Sequence, residues 1–447
     1  MVSTSLTDWR DQQTEVIALE PENFDRAVEL SAVAIGEARQ WQVYLQALAY
    51  AGFADWLCDR MPRHPLTHSR YTLENPPYVN SLPAVCNLEI QGFKLCLLVI
   101  DHPLADTVSV PRAVLELPEF HAHFYVLVEV QEELAQVFIR GFASHAQLLT
   151  YYPTADIHPD WTYAFPIELW ALDPDRLLLQ LELYTPPSLT SLSPSAPSAS
   201  PAPLSLNTLQ PLLQSLYPTR PLWETCPWSQ GRYLLAHPPL LQLIYQAQLS
   251  PLPALTLKLQ ETLALVSQPA VNVAQWFDNR LDDLAQSLAI YLPPQVTPAF
   301  RSIDRFERAI TSLRDQGMAI PEESAHAYQD IDWQGLPLRL CTLIWLSSDH
   351  GPEDHGPDHW SMLILVGMQT NAALPDDLTL RISKPTELVC EATTELEDPF
   401  LYAQVDGQPS DRFLVTLVLP EGPAWLSSPY QFQRNDDARS ISFEVTN

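Results

Sequence analysis

Between Pro186 and Pro203 the chain reads Pro-Pro-Ser-Leu-Thr-Ser-Leu-Ser-Pro-Ser-Ala-Pro-Ser-Ala-Ser-Pro-Ala-Pro. A run so rich in Pro and Ser carries too few large side chains to build a core, and reads as a semi-extended tether. It therefore divides the 447 residues, a length that allows two to four domains at about 100–200 residues each. The boundaries read from the sequence are an α+β domain over 1–185, a linker over 186–205, a helical segment over 206–298 and a β-sandwich domain over 299–447.

The first domain begins with helical spacing. Phe24, Ala27, Val28, Leu30 and Ala34 follow Pro21-Glu22, and Trp41, Tyr44, Leu45, Leu48, Gly52 and Trp56 form a second stripe read as a core face. From about Leu82 the period becomes two. Leu88–Ile90 and Phe93–Leu95 flank Gln91-Gly92 as a hairpin, and Phe124–Val130 with Gln136–Phe142 form another. Val108–Leu117 and Leu177–Leu183 read as further strands of an antiparallel sheet.

Leu206–Leu216 and Pro238–Leu249 read as short amphipathic helices. Asn272 opens the longest helix of this segment, with Val273, Trp276, Phe277, Leu281, Leu284, Leu288 and Tyr291 as its stripe and Pro293-Pro294 as its stop. Beyond residue 300, Pro337–Leu346, Ser361–Thr370, Leu378–Ser383, Glu387–Thr393, Phe400–Val405, Phe413–Leu419 and Tyr430–Gln433 are strands separated by Pro, Gly and Asp. Their number and spacing predict an immunoglobulin-like or fibronectin-like β-sandwich. The fold class is α+β multidomain.

The formal net charge is -30, from 54 acidic and 24 basic residues. Such a field repels nucleic-acid phosphates and anionic membrane surfaces, and steers in a basic protein partner. The N-terminus lacks the basic and apolar regions of a signal peptide, and Leu95–Ile100 is far short of a membrane span, so a cytoplasmic location is expected. Cys58, Cys86, Cys96, Cys226, Cys341 and Cys390 show no C-x-x-C pair, which predicts free, mostly buried thiols.

No phosphate-binding glycine loop, dinucleotide fingerprint, H-E-x-x-H or G-x-S-x-G occurs, so no catalytic residue and no cofactor is assigned. One stretch carries metal-ligating chemistry. Asp349-His350-Gly-Pro-Glu353-Asp354-His355-Gly-Pro-Asp358-His359 sets three imidazoles among four carboxylates, which suits Zn²⁺ or Ni²⁺. Its two Gly-Pro pairs also make it an ordinary polar turn. His350, His355 and His359 are the candidate ligands. His121-Ala-His123 would share one face if extended, whereas Ser144-His145 would point to opposite faces of a strand.

Several blocks together carry a resemblance. Arg39-Gln-Trp41-Gln-Val-Tyr44-Leu45-Gln-Ala-Leu48, then Gly52-Phe-Ala-Asp-Trp56-Leu57, Val110-Pro111 through Leu117-Pro118, Phe124–Val130, Gly141-Phe142 with His145, Val271–Trp276, Leu374–Leu378 and Arg412–Leu417 resemble, in order, a cyanobacterial family catalogued as domain of unknown function 1822. The Pro/Ser run and the Asp/His turn depart from that pattern. The resemblance transfers no catalytic residue. It implies a setting beside extracytoplasmic-function sigma factors and caspase-like proteins. The expectation is a non-enzymatic binding or regulatory protein, an anti-sigma or scaffold factor. The alternatives are an adaptor or substrate of a caspase-like protease cut in the linker, and a metal-dependent hydrolase on the three histidines.

Overall fold

The computed structural model describes residues 15–68, 71–100, 106–189, 204–215, 221–249, 255–293, 303–347 and 359–434. The chain forms two compact units, residues 1–253 and 254–447. Their division falls inside the segment 206–298, which the sequence reading kept whole.

Among the described residues unit 1 holds nine strands: β1 (Ile17–Ala18), β2 (Thr67–His68), β3 (Val85–Ile90), β4 (Phe93–Ile100), β5 (Thr107–Pro111), β6 (Phe124–Gln131), β7 (Gln136–Ser144), β8 (Asp156–Ile157) and β9 (Thr162–Pro166). Six form a sheet in the order β1-β7-β6-β4-β3-β2, and three form a small sheet, β5-β9-β8. The Gln91-Gly92 hairpin is present, with both residues at positive φ (52° and 79°), as a tight two-residue turn demands. The large sheet is not purely antiparallel as expected. β4 runs parallel to β6, from Leu95 opposite Phe124 to Ile100 opposite Glu129. Parallel neighbours need a crossover, and residues 107–120 supply one that contains β5 and a helical turn, α4 (Ala113–Glu116). The extended reading of Val108–Leu117 therefore holds only as far as Pro111.

The helices of unit 1 are α1 (Pro21–Ser31), α2 (Glu37–Arg60), α3 (Pro76–Val79), α4, α5 (His145–Tyr151), α6 (Pro174–Leu183), α7 (Leu206–Ser215), α8 (Leu222–Thr225), α9 (Trp228–Leu235) and α10 (Pro238–Leu249). α6 replaces the strand expected over Leu177–Leu183. Its run of leucines fits either period. Asp173, which caps Asp175 N at 3.2 Å, and Pro174 in the first turn decide for helix. α1, α2 and α6 cover one sheet face, where Val43, Leu48, Phe53 and Leu57 meet Leu95, Leu97, Val126 and Val128. Each such side chain contributes about 2 kcal/mol on burial. A Cβ at Gly52 would come within 2.7 Å of Val137, so glycine is what lets α2 approach the sheet this closely. The α2 stripe is only partly core: Leu48 and Trp56 are buried, but Trp41 is exposed.

Unit 2 is a double sheet. Its strands are β10 (Val271–Asn272), β11 (Ile290–Tyr291), β12 (Ala325–Trp333), β13 (Leu336–Ser347), β14 (His359–Met368), β15 (Thr379–Ser383), β16 (Leu388–Thr393), β17 (Phe400–Gly407), β18 (Arg412–Val418), β19 (Trp425–Leu426) and β20 (Tyr430–Gln431). One sheet runs β11-β12-β13-β14-β17. The other runs β10-β20-β18-β15-β16, with β19 beside β18. A single core joins them, with Leu340, Trp360, Ile364 and Val405 from one and Leu380, Ile382, Phe413 and Val415 from the other.

Two helices cover the outer faces. α13 (Ile303–Asp315), which the sequence reading missed, lays Phe306, Ile310 and Leu313 over Tyr328, Cys341, Leu343 and Leu365. α11 (Leu255–Ser267) sets Ala264 and Leu265 against Leu414. Arg381 of β15 pairs there with Glu261 of α11 at 3.2 Å and with Glu391 of β16. The long helix expected from Asn272 is broken. Asn272 does cap, accepting Ala274 N at 3.2 Å, but only a 3₁₀ stretch follows. Asn279 then turns left-handed (φ 55°), and Asp282 caps a second, short helix, α12 (Asp283–Ser287).

Candidate functional site

Two hollows of unit 1 lie along α2. Gly36 precedes the helix at φ 87°, a conformation that favours glycine. Asn80, at the end of α3, accepts Ile35 N at 2.7 Å and donates to the carbonyls of Val33 and Pro76 at 3.2 and 2.8 Å, which fixes the turn into α2. Arg39, Gln42 and Gln46 then follow at i, i+3 and i+7, one face of the helix. A hollow of about 80 Å³ opens beside Ile35, Ala38, Arg39, Gln42, Asn80 and Trp223. A second, of about 290 Å³, lies beside Gln42, Gln46, Ser109, Pro111, Asp160, Thr162 and Trp223. Gln42 and Trp223 line both, so the two hollows adjoin along α2 as one cleft, whose wider part approaches small-ligand size.

Arg39 is buried and meets only neutral acceptors. It donates to Val79 O at 2.6 Å, Leu82 O at 2.8 Å and Gln42 Oε1 at 2.8 Å. Burial lowers its pKa to about 10, which still leaves it charged at neutral pH. Gln46 is 5% exposed, and no hydrogen bond joins its amide to any described residue. Asp160 is occupied by Thr162, accepting from N at 3.2 Å and from Oγ1 at 2.7 Å.

Two other polar clusters are saturated. Glu116 accepts Arg112 Nε at 2.8 Å, the Tyr163 hydroxyl at 2.6 Å and Trp228 Nε1 at 2.8 Å. The Arg112 guanidinium lies 5.2 Å from the Tyr163 ring and 5.0 Å from the Trp228 ring. Each member has a partner, which is the pattern of a packing device. The second cluster is behind the sheet. The Tyr125 hydroxyl donates to Val114 O at 2.7 Å and meets His145 Nδ1 at 3.0 Å. The His145 and His121 rings lie 4.9 Å apart, and His121 Nε2 contacts Leu115 O at 3.1 Å. Burial, with His145 alongside, pushes the His121 pKa down to about 4.

The histidines singled out from sequence separate. His350 and His355 lie outside the described residues, as do residues 190–203 of the Pro/Ser run. His359 begins β14 opposite Ser347. Among the described residues no group of three or more His, Cys, Asp and Glu is placed to hold a metal ion. His121 and His123 take different surroundings: His123 accepts Lys94 N at 2.7 Å and contacts Pro187 O at 2.9 Å. Ser144 is no nucleophile for His145. It caps α5, accepting Gln147 N at 3.3 Å. The cleft residues were within reach of the sequence, since Arg39, Gln42 and Gln46 share a helical face, but the aromatic stripe beside them dominated the reading.

Fold and cleft together define a mixed α+β protein of two units, the first with a ligand-sized hollow. Residues 17–421 match the family described as Protein of unknown function (DUF1822), and the chain belongs to that family. No curated protein and no solved structure matches the chain. Among the described residues no helix is long and apolar enough to cross a membrane.

Proposed function

We propose that this is a non-enzymatic binding and regulatory protein whose second unit docks a basic segment of a protein partner on β16. The observation that carries this reading is the composition of that strand's surface. β16 is the last strand of its sheet and pairs only with β15 among the described residues. Leu388, Val389 and Leu396 stand exposed at 44%, 38% and 79%. Around them Glu387, Glu391, Glu395 and Glu397 are exposed as well. An edge strand with apolar side chains in a ring of acids suits an extended segment that alternates apolar and basic residues. The net charge of -30 adds long-range attraction for such a partner.

An extracytoplasmic-function sigma factor is the specific partner we propose, since its DNA-facing and polymerase-facing surfaces are basic. The immunoglobulin likeness of unit 2 belongs to the same proposal and rests on two sheets sharing one core. The test is binding of the full chain to the purified sigma factor at low and at high salt. Affinity is expected to fall at least tenfold as salt rises, and again in the Glu395→Lys/Glu397→Lys variant. Absence of binding at low salt, or indifference to the charge reversal, overturns the reading.

A further inference from the structure

The cleft along α2 combines two features that folding alone does not account for. The first is a buried cation without a counter-ion. Taking a guanidinium out of water is costly, and a carboxylate ordinarily offsets that cost. Arg39 has five N–H donors. Val79 O, Leu82 O and Gln42 Oε1 engage three of them, which leaves one on Nη1 and one on Nη2 without an acceptor among the described residues. In a chain with 54 acidic side chains, that vacancy is not for want of carboxylates.

The second feature is independent of the first. Gln46 lies two turns further along the same helix face, about 10 Å away at the helical rise. The residue is 5% exposed and lines the cleft, and no hydrogen bond joins its amide to a described residue. An amide that lines the cleft without a protein partner keeps both its donor and its acceptor for a ligand group. Between the two, Gln42 has its oxygen held by Arg39, which leaves its NH₂ as the donor of that side chain. The half-buried Trp223 indole lines both hollows and has no hydrogen bond or ring partner among the described residues.

We propose that this cleft is a binding site for a small carboxylic acid, its carboxylate paired with the open N–H groups of Arg39 and its amide-bearing body read by Gln46 and Trp223. The charge count selects a monoanion. Among the described residues one guanidinium and no lysine line the cleft, and Asp160 lines the wider hollow, so a phosphate dianion would meet too little positive charge. The planar guanidinium edge matches a carboxylate. The cleft is a feature of unit 1 and stands or falls apart from the β16 surface.

The probes are N-acetylated amino acids with small, aliphatic and aromatic side chains, their primary amides, and inorganic phosphate, each titrated calorimetrically into the full chain. At least one acid is expected to bind at one site, with its amide at least tenfold weaker. Gln46→Leu, a shape-matched change, is expected to weaken that acid at least tenfold while the thermal transition stays cooperative. Trp223→Ala should do the same. Arg39→Lys keeps the charge but loses the planar edge, and is expected to lower affinity less than Arg39→Gln. No binding by any acid, equal binding of acid and amide, phosphate binding tighter than every acid, or full affinity in Gln46→Leu would each overturn the proposal.

Discussion

Gly231 of α9 lies flat against the indole of Trp161: a Cβ there would stand 2.2 Å from Cη2 and 2.3 Å from Cζ2. Trp161 is buried, with its ring centroid 5.4 Å from that of Trp228, so the ring has little freedom to retreat. This contact places α9, which follows the Pro/Ser run, in the same unit as the sheets before it. Gly231→Ala is therefore expected to destabilise the protein by about 2 kcal/mol through overpacking. A fall in Tm of about 4–8 °C in a thermal scan would confirm it. An unchanged Tm would show that the ring yields.

The Glu116 cluster gives a second expectation. Glu116→Gln leaves the partly buried Arg112 cation without its counter-charge, and should cost about 3 kcal/mol in a denaturant titration. The double variant Arg112→Met/Glu116→Gln should cost less than the sum of the single changes, because the stranded charge is removed. Strict additivity would contradict a coupled pair.

Acid should weaken unit 1 before its carboxylates titrate. His121 titrates near 4 when folded, lowered by burial and then by His145, against about 6.5 when unfolded. Between those values the unfolded chain binds more protons, so stability falls as pH drops through that window. His123, also lowered chiefly by burial, acts in the same direction in unit 1, and His326 does so in unit 2. The His121 share is about 2 kcal/mol once solvent screening is allowed for. Urea midpoints at pH 7, 6, 5 and 4 should fall progressively, and less steeply in His121→Gln. An identical slope in that variant would remove His121 from the account.

Thiol labelling separates the cysteines. Cys58 is exposed and Cys390 half-buried, while Cys86, Cys96, Cys226 and Cys341 are buried. Burial raises the Cys226 thiol to about 12 and pushes Cys96 and Cys341 up as well. Iodoacetamide on the native protein should modify Cys58 first and Cys390 next, and the other four only after denaturant. Rapid native labelling of Cys96 would contradict the packing behind β4.

Local signals in the sequence were read well where one rule acted alone. α10 spans Pro238–Leu249, as its pattern predicts, and the Gln91-Gly92 turn forms. Competing signals were misread. In Leu177–Leu183 the apolar run obscured the Asp173-Pro174 start signal. Downstream of Asn272, two caps ten residues apart split what looked like one stripe. β12 was missed although Gln334-Gly335, both at positive φ, marks its hairpin with β13. The cleft was legible least. The Arg39, Gln42 and Gln46 spacing is visible, but only the packing of α3 and α8 shows that Arg39 meets no acid and that Trp223 lines the same hollow.

The parallel pairing of β4 with β6 carries a kinetic consequence. Ser109 and Pro111, which wall the cleft, lie on the crossover between those strands. That loop cannot take its final path until β6 has docked beside β4, a closure whose entropy must be met before the contacts that reward it. The cleft is thus expected to form late in folding. Substitutions along 107–120 should alter the rate at which binding competence appears after refolding more than they alter how quickly the first helices form.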